Sequence, residues 1–311
     1  MAKPFTFGVQ MGNAGSASEW RDKARRLEDL GYATLYMPDH FIDTALAPMP
    51  AMAMALAHTS TLRVCGLVLD NDYKHPAIVA KEIATMDVLS DGRADLGIGA
   101  GWMKVDYDAL GLPYDAAGVR VDRLEEALAV VKGCWSAEKF SFAGTHYTIA
   151  DYDAIPKPVQ QPRPRILVGG GAPRVLRLAG READIVGINP NLRAGAITAD
   201  SVHTSLADET RKKVGWIKEG AGDRFGDLEL QIRYFLCTIT DDPRKLAEAM
   251  APGFNITPED VLASGVALVG TVDTMIDELQ RRRDEWGVSN IVVGDDMTDA
   301  FAPVVAKLAG S

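Results

Sequence analysis

Arg165-Ile-Leu-Val-Gly-Gly-Gly-Ala-Pro-Arg-Val-Leu-Arg-Leu-Ala-Gly180 is the stretch on which the fold turns. A short apolar run at residues 166–168 meets Gly169, Gly170 and Gly171, and Pro173 then stands at the first position of a helix carrying Val175, Leu176 and Leu178. This is strand, turn, helix. Such a junction aims free backbone N–H groups and the positive helix end at one point, and glycines let an anion approach the backbone. Arg174 is placed to add a charge. Taken alone, the three glycines fit equally a tight turn with no ligand, because their spacing is neither a P-loop nor a dinucleotide fingerprint.

The same alternation extends in both directions. Apolar runs at residues 5–10, 34–37, 62–69, 94–98, 166–168, 184–188, 228–236 and 291–293 read as eight strands with helices between them. Ser16-Ala-Ser-Glu19 is a capping box ahead of Trp20, Ala24 and Leu27, Pro76 opens a helix, and Ser90-Asp-Gly-Arg93 closes it. Eight strand–helix pairs over this length predict a single (β/α)₈ barrel across residues 1–311 rather than a doubly wound sheet. Two insertions are expected on its carboxyl-terminal face: a hairpin near residues 138–160, and residues 191–227.

The 311 residues are 47% hydrophobic and carry a formal net charge of −10. With a pI near 5.0, nucleic acid and anionic membranes are unexpected partners. Arg281 to Arg283, the one basic run, ends a predicted helix and reads as a solvated face. Cys65, Cys134 and Cys237 are few and far apart, which suits a reducing, cytoplasmic setting. No signal peptide and no membrane-length apolar run is read, and no His/Cys/Asp/Glu cluster has metal-ligand spacing.

A barrel places its chemistry at the carboxyl ends of its strands. Those ends hold residues 10–13, 39–40, 67–71, 99–102, 169–171, 189, 238 and 294–296. Among them His40 has the side chain suited to proton transfer near neutral pH, with Asp39 as the candidate to orient it; a histidine that merely caps the loop is the other reading. Trp102, after a Gly-Ala-Gly bend, can stack on a flat heterocycle or pack beneath a loop. His75 precedes Pro76 and reads as serving the helix start.

Four segments together resemble the luciferase-like monooxygenase superfamily, and within it the deazaflavin (coenzyme F420)-dependent oxidoreductases. They are Tyr36-Met-Pro-Asp-His40, residues 73–93, Asp95-Leu-Gly-Ile-Gly-Ala-Gly-Trp102, and residues 156–171. The resemblance implies a ring lying across the strand ends, with its phosphate tail at Gly169, Gly170 and Gly171. It also implies a non-proline cis peptide around Gly66, Leu67 and Val68 beneath the ring. Asn71, Gly99, Ala100, Gly101, Trp102 and Arg174 complete the expected cofactor site, and His40 with Asp39 the catalytic pair.

On this resemblance the chain moves a hydride between F420 and a small organic substrate. An FMN-dependent monooxygenase, consuming oxygen beside a partner reductase, is the alternative, and a flavin-binding barrel without turnover a third. Ala100 stands where bacterial luciferases place an arginine for the FMN phosphate. Trp102 stands where the sugar-phosphate dehydrogenases place an acid. The resemblance further implies a homodimer pairing through helices beside the second and third strands.

Overall fold

The computed structural model describes residues 3–311. Its eight barrel strands are β1 (Thr6–Gln10), β2 (Thr34–Met37), β3 (Arg63–Gly66), β4 (Ala94–Gly99), β5 (Ile166–Gly170), β6 (Ile185–Ile188), β7 (Glu229–Arg233) and β8 (Val288–Gly294). Each pairs in parallel with the next, and β8 returns to β1 through Thr6–Asn290 to Gln10–Gly294, so the sheet closes. The strands are short and largely buried on both faces, which is why they read as apolar runs instead of alternating ones.

Helices cover the outside. Ala17–Asp29 turns Trp20, Ala24 and Leu27 inward, and its Ser16 cap accepts the Glu19 amide at 3.1 Å. His75 does serve the helix Pro76–Leu89, its Nδ1 accepting the Ala77 amide at 3.2 Å. One apolar cluster fills the space between strands and helices, while Tyr36, Cys65, Leu167, Ile185 and Val292 pack inside the barrel. At the amino end the interior is polar: Asp95, 1% exposed, lies between Arg63 and Arg165, and Arg165 also reaches Glu229. That pole is structural, which leaves the carboxyl end for chemistry.

Three segments differ from expectation. Residues 228–236 do not form one strand: β7 ends at Arg233, and Leu236–Ile239 pairs instead with Ala267–Gly270 in a small parallel sheet outside the barrel. Alternation signals a strand without saying which sheet it joins, so Thr238 leaves the barrel mouth. Within residues 191–227, Ala207–Ala221 is the crossover helix after β6, burying Val214, Ile217 and Ala221; the added length there is residues 191–206. Residues 103–116, which carry no strong periodicity, contain the helix Lys104–Leu110.

The hairpin near 138–160 is present as Phe140–Ala143 and Thr148–Tyr152. Among the described residues no helix is long and apolar enough to cross a membrane, and no group of three His, Cys, Asp or Glu side chains is placed to hold a metal.

Candidate active site

The carboxyl ends of the strands enclose a cleft of about 260 Å³. Its walls come from six of the predicted strand ends: Gln10 after β1, Asp39 and His40 after β2, Leu67, Val68 and Asp70 after β3, Gly99 to Trp102 after β4, Gly169 to Gly171 after β5, and Asn189 after β6. Arg120 and Arg233 join them. The Leu67–Val68 peptide is cis, where the resemblance expects one, and the Gln10 side-chain amide donates to the Leu67 carbonyl at 3.1 Å. Arg233 Nε donates to the other end of the same amide, Gln10 Oε1, at 2.9 Å.

His40 stands on the cleft wall with its partner on an unexpected segment. Its Nδ1 lies 2.8 Å from Asp106 Oδ2, and Asp106 is 0% exposed. The second oxygen, Oδ1, accepts the amides of Phe41 at 3.0 Å and Ile42 at 3.1 Å. An ionised carboxylate accepts and cannot donate, so Nδ1 carries the proton and Nε2 is left free toward the cleft. The Trp102 ring meets the imidazole edge-on with centroids 5.5 Å apart. Both walls of that corner are therefore fixed.

Asp39 does not orient His40. Its Oδ2 accepts the Asp70 amide at 3.1 Å, and burial raises its pKa. With Asp39 held by the Asp70 amide, a carboxylate 66 residues downstream of His40 in sequence reaches the imidazole instead.

Asp70 lies within the strand-end residues 67–71, but nothing in the sequence marks it out from its neighbours. Burial pushes its pKa up to about 7, although the Asp72 amide and the Tyr107 hydroxyl bond to it. Tyr107 Oη lies 3.0 and 2.8 Å from the two Asp70 oxygens and 2.9 Å from Asp72 Oδ2. One phenolic proton cannot serve both carboxylates. The set is satisfied when Asp70 is protonated and donates to Tyr107, which donates to Asp72, whose charge Arg123 meets at 2.6 Å.

Three sequence-read residues fall outside the cleft. Gly66 is buried at the end of β3, facing Gly97 and Leu69. Asn71 is buried toward the hairpin, donating to the Tyr147 hydroxyl at 3.4 Å. Arg174 is half exposed and pairs with Asp122 and the Gly118 carbonyl, because on the first turn of Pro173–Glu182 it faces the neighbouring helix.

The rest of the cleft fits a flat ring with an anionic tail. A Cβ at Gly171 would lie 2.1 Å from the Pro190 carbonyl oxygen, so the turn admits glycine alone and leaves its backbone bare. Two helices, Ala117–Trp135 and Pro173–Glu182, begin on this wall, and neither has a capping side chain or an acid in its first turn. Such ends favour phosphate.

The fold and site together are those of a closed (β/α)₈ barrel with a His40–Asp106 pair and a glycine turn facing one cleft at its carboxyl end. The luciferase-like monooxygenase family model matches residues 1–254, and the chain belongs to that family.

An FMNH2-dependent dimethylsulfone monooxygenase from Pseudomonas putida is 36% identical over 136 residues, 44% of this chain and 37% of the relative. An F420-dependent glucose-6-phosphate dehydrogenase from Beutenbergia cavernae is 31% identical over 276 residues, 85% of this chain and 77% of the relative. The first match thus spans little more than a third of its relative's length. The solved coenzyme F420-dependent tetrahydromethanopterin reductase from Methanopyrus kandleri superposes with a TM-score of 0.77 over 98% of both chains, at 19% identity, a likeness of fold. Relatives named for F420 and relatives named for FMNH2 both match.

Proposed function

We propose that the chain is an F420-dependent oxidoreductase acting on a small organic substrate, with His40 as the proton-transferring group and Asp106 as the residue that orients it. The His40–Asp106 pair at the cleft wall carries this reading. When bound, the deazaflavin supplies two-electron hydride chemistry at one carbon of its ring. The chain's own part is positional and protonic. His40 Nε2 takes or gives the proton that accompanies the hydride, Asp106 fixes the ring and offsets the charge of the imidazolium, and Trp102 closes the corner against water. Substrate contacts fall to Phe235, Arg233 and residues 191–193 at the cleft mouth. The active molecule is a homodimer.

Separate titrations of F420 and FMN into the purified chain, followed by tryptophan fluorescence, test the cofactor. Tighter F420 binding is expected. Tighter FMN binding would replace this reading with the oxygen-consuming monooxygenase, to be assayed by oxygen uptake with a partner flavin reductase. The non-catalytic barrel is tested by His40→Ala: turnover that is unchanged, or absent from both proteins, makes His40 idle.

A further inference from the structure

We infer that Arg120, four residues into the helix Ala117–Trp135, supplies the positive charge of the phosphate site, an inference that rests on reading the cleft as a flavin-type site. Arg120 is 4% exposed and lines the same cleft as Gly169, Gly170 and Gly171. Its Nε donates to the Ala100 carbonyl at 3.1 Å and its Nη2 to the Gly101 carbonyl at 3.3 Å. Nη1 donates to the Asp115 carbonyl at 2.6 Å, and the Tyr114 hydroxyl lies 3.3 Å from Nη2. Every one of these partners is neutral.

The neighbouring arginines are different. Arg123 takes the carboxylates of Asp72 and Asp115, and Arg174 takes that of Asp122. Among the described residues Arg120 has no carboxylate within salt-bridge distance, so its guanidinium charge is unmatched inside the fold. A buried charge without a counter-ion is costly, and an anion resident in the cleft would supply one. The two uncapped helix starts on this wall carry the same sign.

Arg120 also acts on its acceptors. By binding the Ala100 and Gly101 carbonyls it occupies oxygens that would otherwise repel a phosphate. Ala100 itself holds no charge, so the cation that a side chain at that position could bring reaches the same loop from the helix Ala117–Trp135. This is why the local motif does not reveal it.

The test compares ligands with and without a phosphate: FMN against riboflavin, and F420 against its phosphate-free deazaflavin chromophore, by fluorescence titration and calorimetry. The intact chain should prefer the phosphate-bearing member of each pair. Arg120→Gln should shrink that preference at least about tenfold while leaving the phosphate-free ligands nearly unchanged, and Arg120→Lys should restore part of it. A preference retained in Arg120→Gln overturns the inference. So does an equal loss for both members of a pair, which would make Arg120 a brace for the loop alone.

Absence of any preference in the intact chain would instead defeat the phosphate cradle itself. Should Arg120→Gln not fold, Ala117→Glu decides. An acid in a first helical turn favours the helix, yet here it places a like charge beside the phosphate. Loss of the phosphate preference with an unchanged Tm supports the inference, and an undiminished preference overturns it.

Discussion

Asp106 shows what a single carboxylate does when three donors converge on it. Asn in its place can keep one oxygen for the Phe41 and Ile42 amides, but it then turns an NH2 toward His40 Nδ1 and forces the opposite tautomer. Asp106→Asn is expected to lower kcat by about 10²–10⁴-fold with cofactor affinity kept, read as kcat and Kd on the same preparation. His40 was visible in the sequence because it stands in the loop that follows β2, three residues past Met37. Asp106 was not, since no spacing rule links residues 66 apart.

Asp70 carries a pH prediction. Its pKa rises from an ordinary carboxylate value to about 7 on folding, so between those values the unfolded chain has lost a proton that the folded chain keeps. The group's contribution is therefore full at low pH and declines as pH rises toward 7. Asp70→Asn keeps an acceptor for the Asp72 amide and a donor for the Tyr107 hydroxyl but cannot ionise. Urea midpoints at about pH 5 and pH 8 should show the variant gaining on the parent at the higher value; a pH-independent difference would refute it.

At the scale of elements, the helix Lys104–Leu110 matters beyond its seven residues, for it brings Asp106 under His40 and Tyr107 against Asp70. It is too short to form alone and ends at Gly111, which adopts φ +68° with open space around it. Gly111→Ala would meet no clash, so its cost is the left-handed backbone, about 1 kcal/mol. That cost is expected to fall on this helix: faster amide exchange across residues 104–110 and a drop in kcat exceeding what the small change in Tm explains.

The glycine turn was legible for the opposite reason. Gly169 to Gly171 lie between a strand and a proline-started helix, a local pattern. Which loops meet across the barrel is set by closure, and periodicity holds no information about that. The small sheet formed by Leu236–Ile239 and Ala267–Gly270 escaped notice on the same ground.

Over the whole molecule the surface is uneven. Ile78, Val88 and Leu89 of Pro76–Leu89 and Met54 of Pro48–His58 are large, apolar and exposed, and Met49, Ala77, Ile78, Met86 and Tyr152 line a shallow groove between them. Pro48–His58 is apolar around its full circumference, with Met49, Ala51, Met52, Ala55 and Leu56 already inward. A helix of that composition suits burial on both faces, and a self-complementary patch pairs about a two-fold axis. Light scattering at micromolar concentration is therefore expected to give twice the 33.5 kDa chain mass. Ile78→Glu should reduce it to a single chain without lowering the Tm of the monomer, because Ile78 contributes nothing to the core. A parent protein that weighs one chain removes the assembly and leaves that face without a partner. A dimer indifferent to Ile78→Glu moves the interface to another face of the barrel.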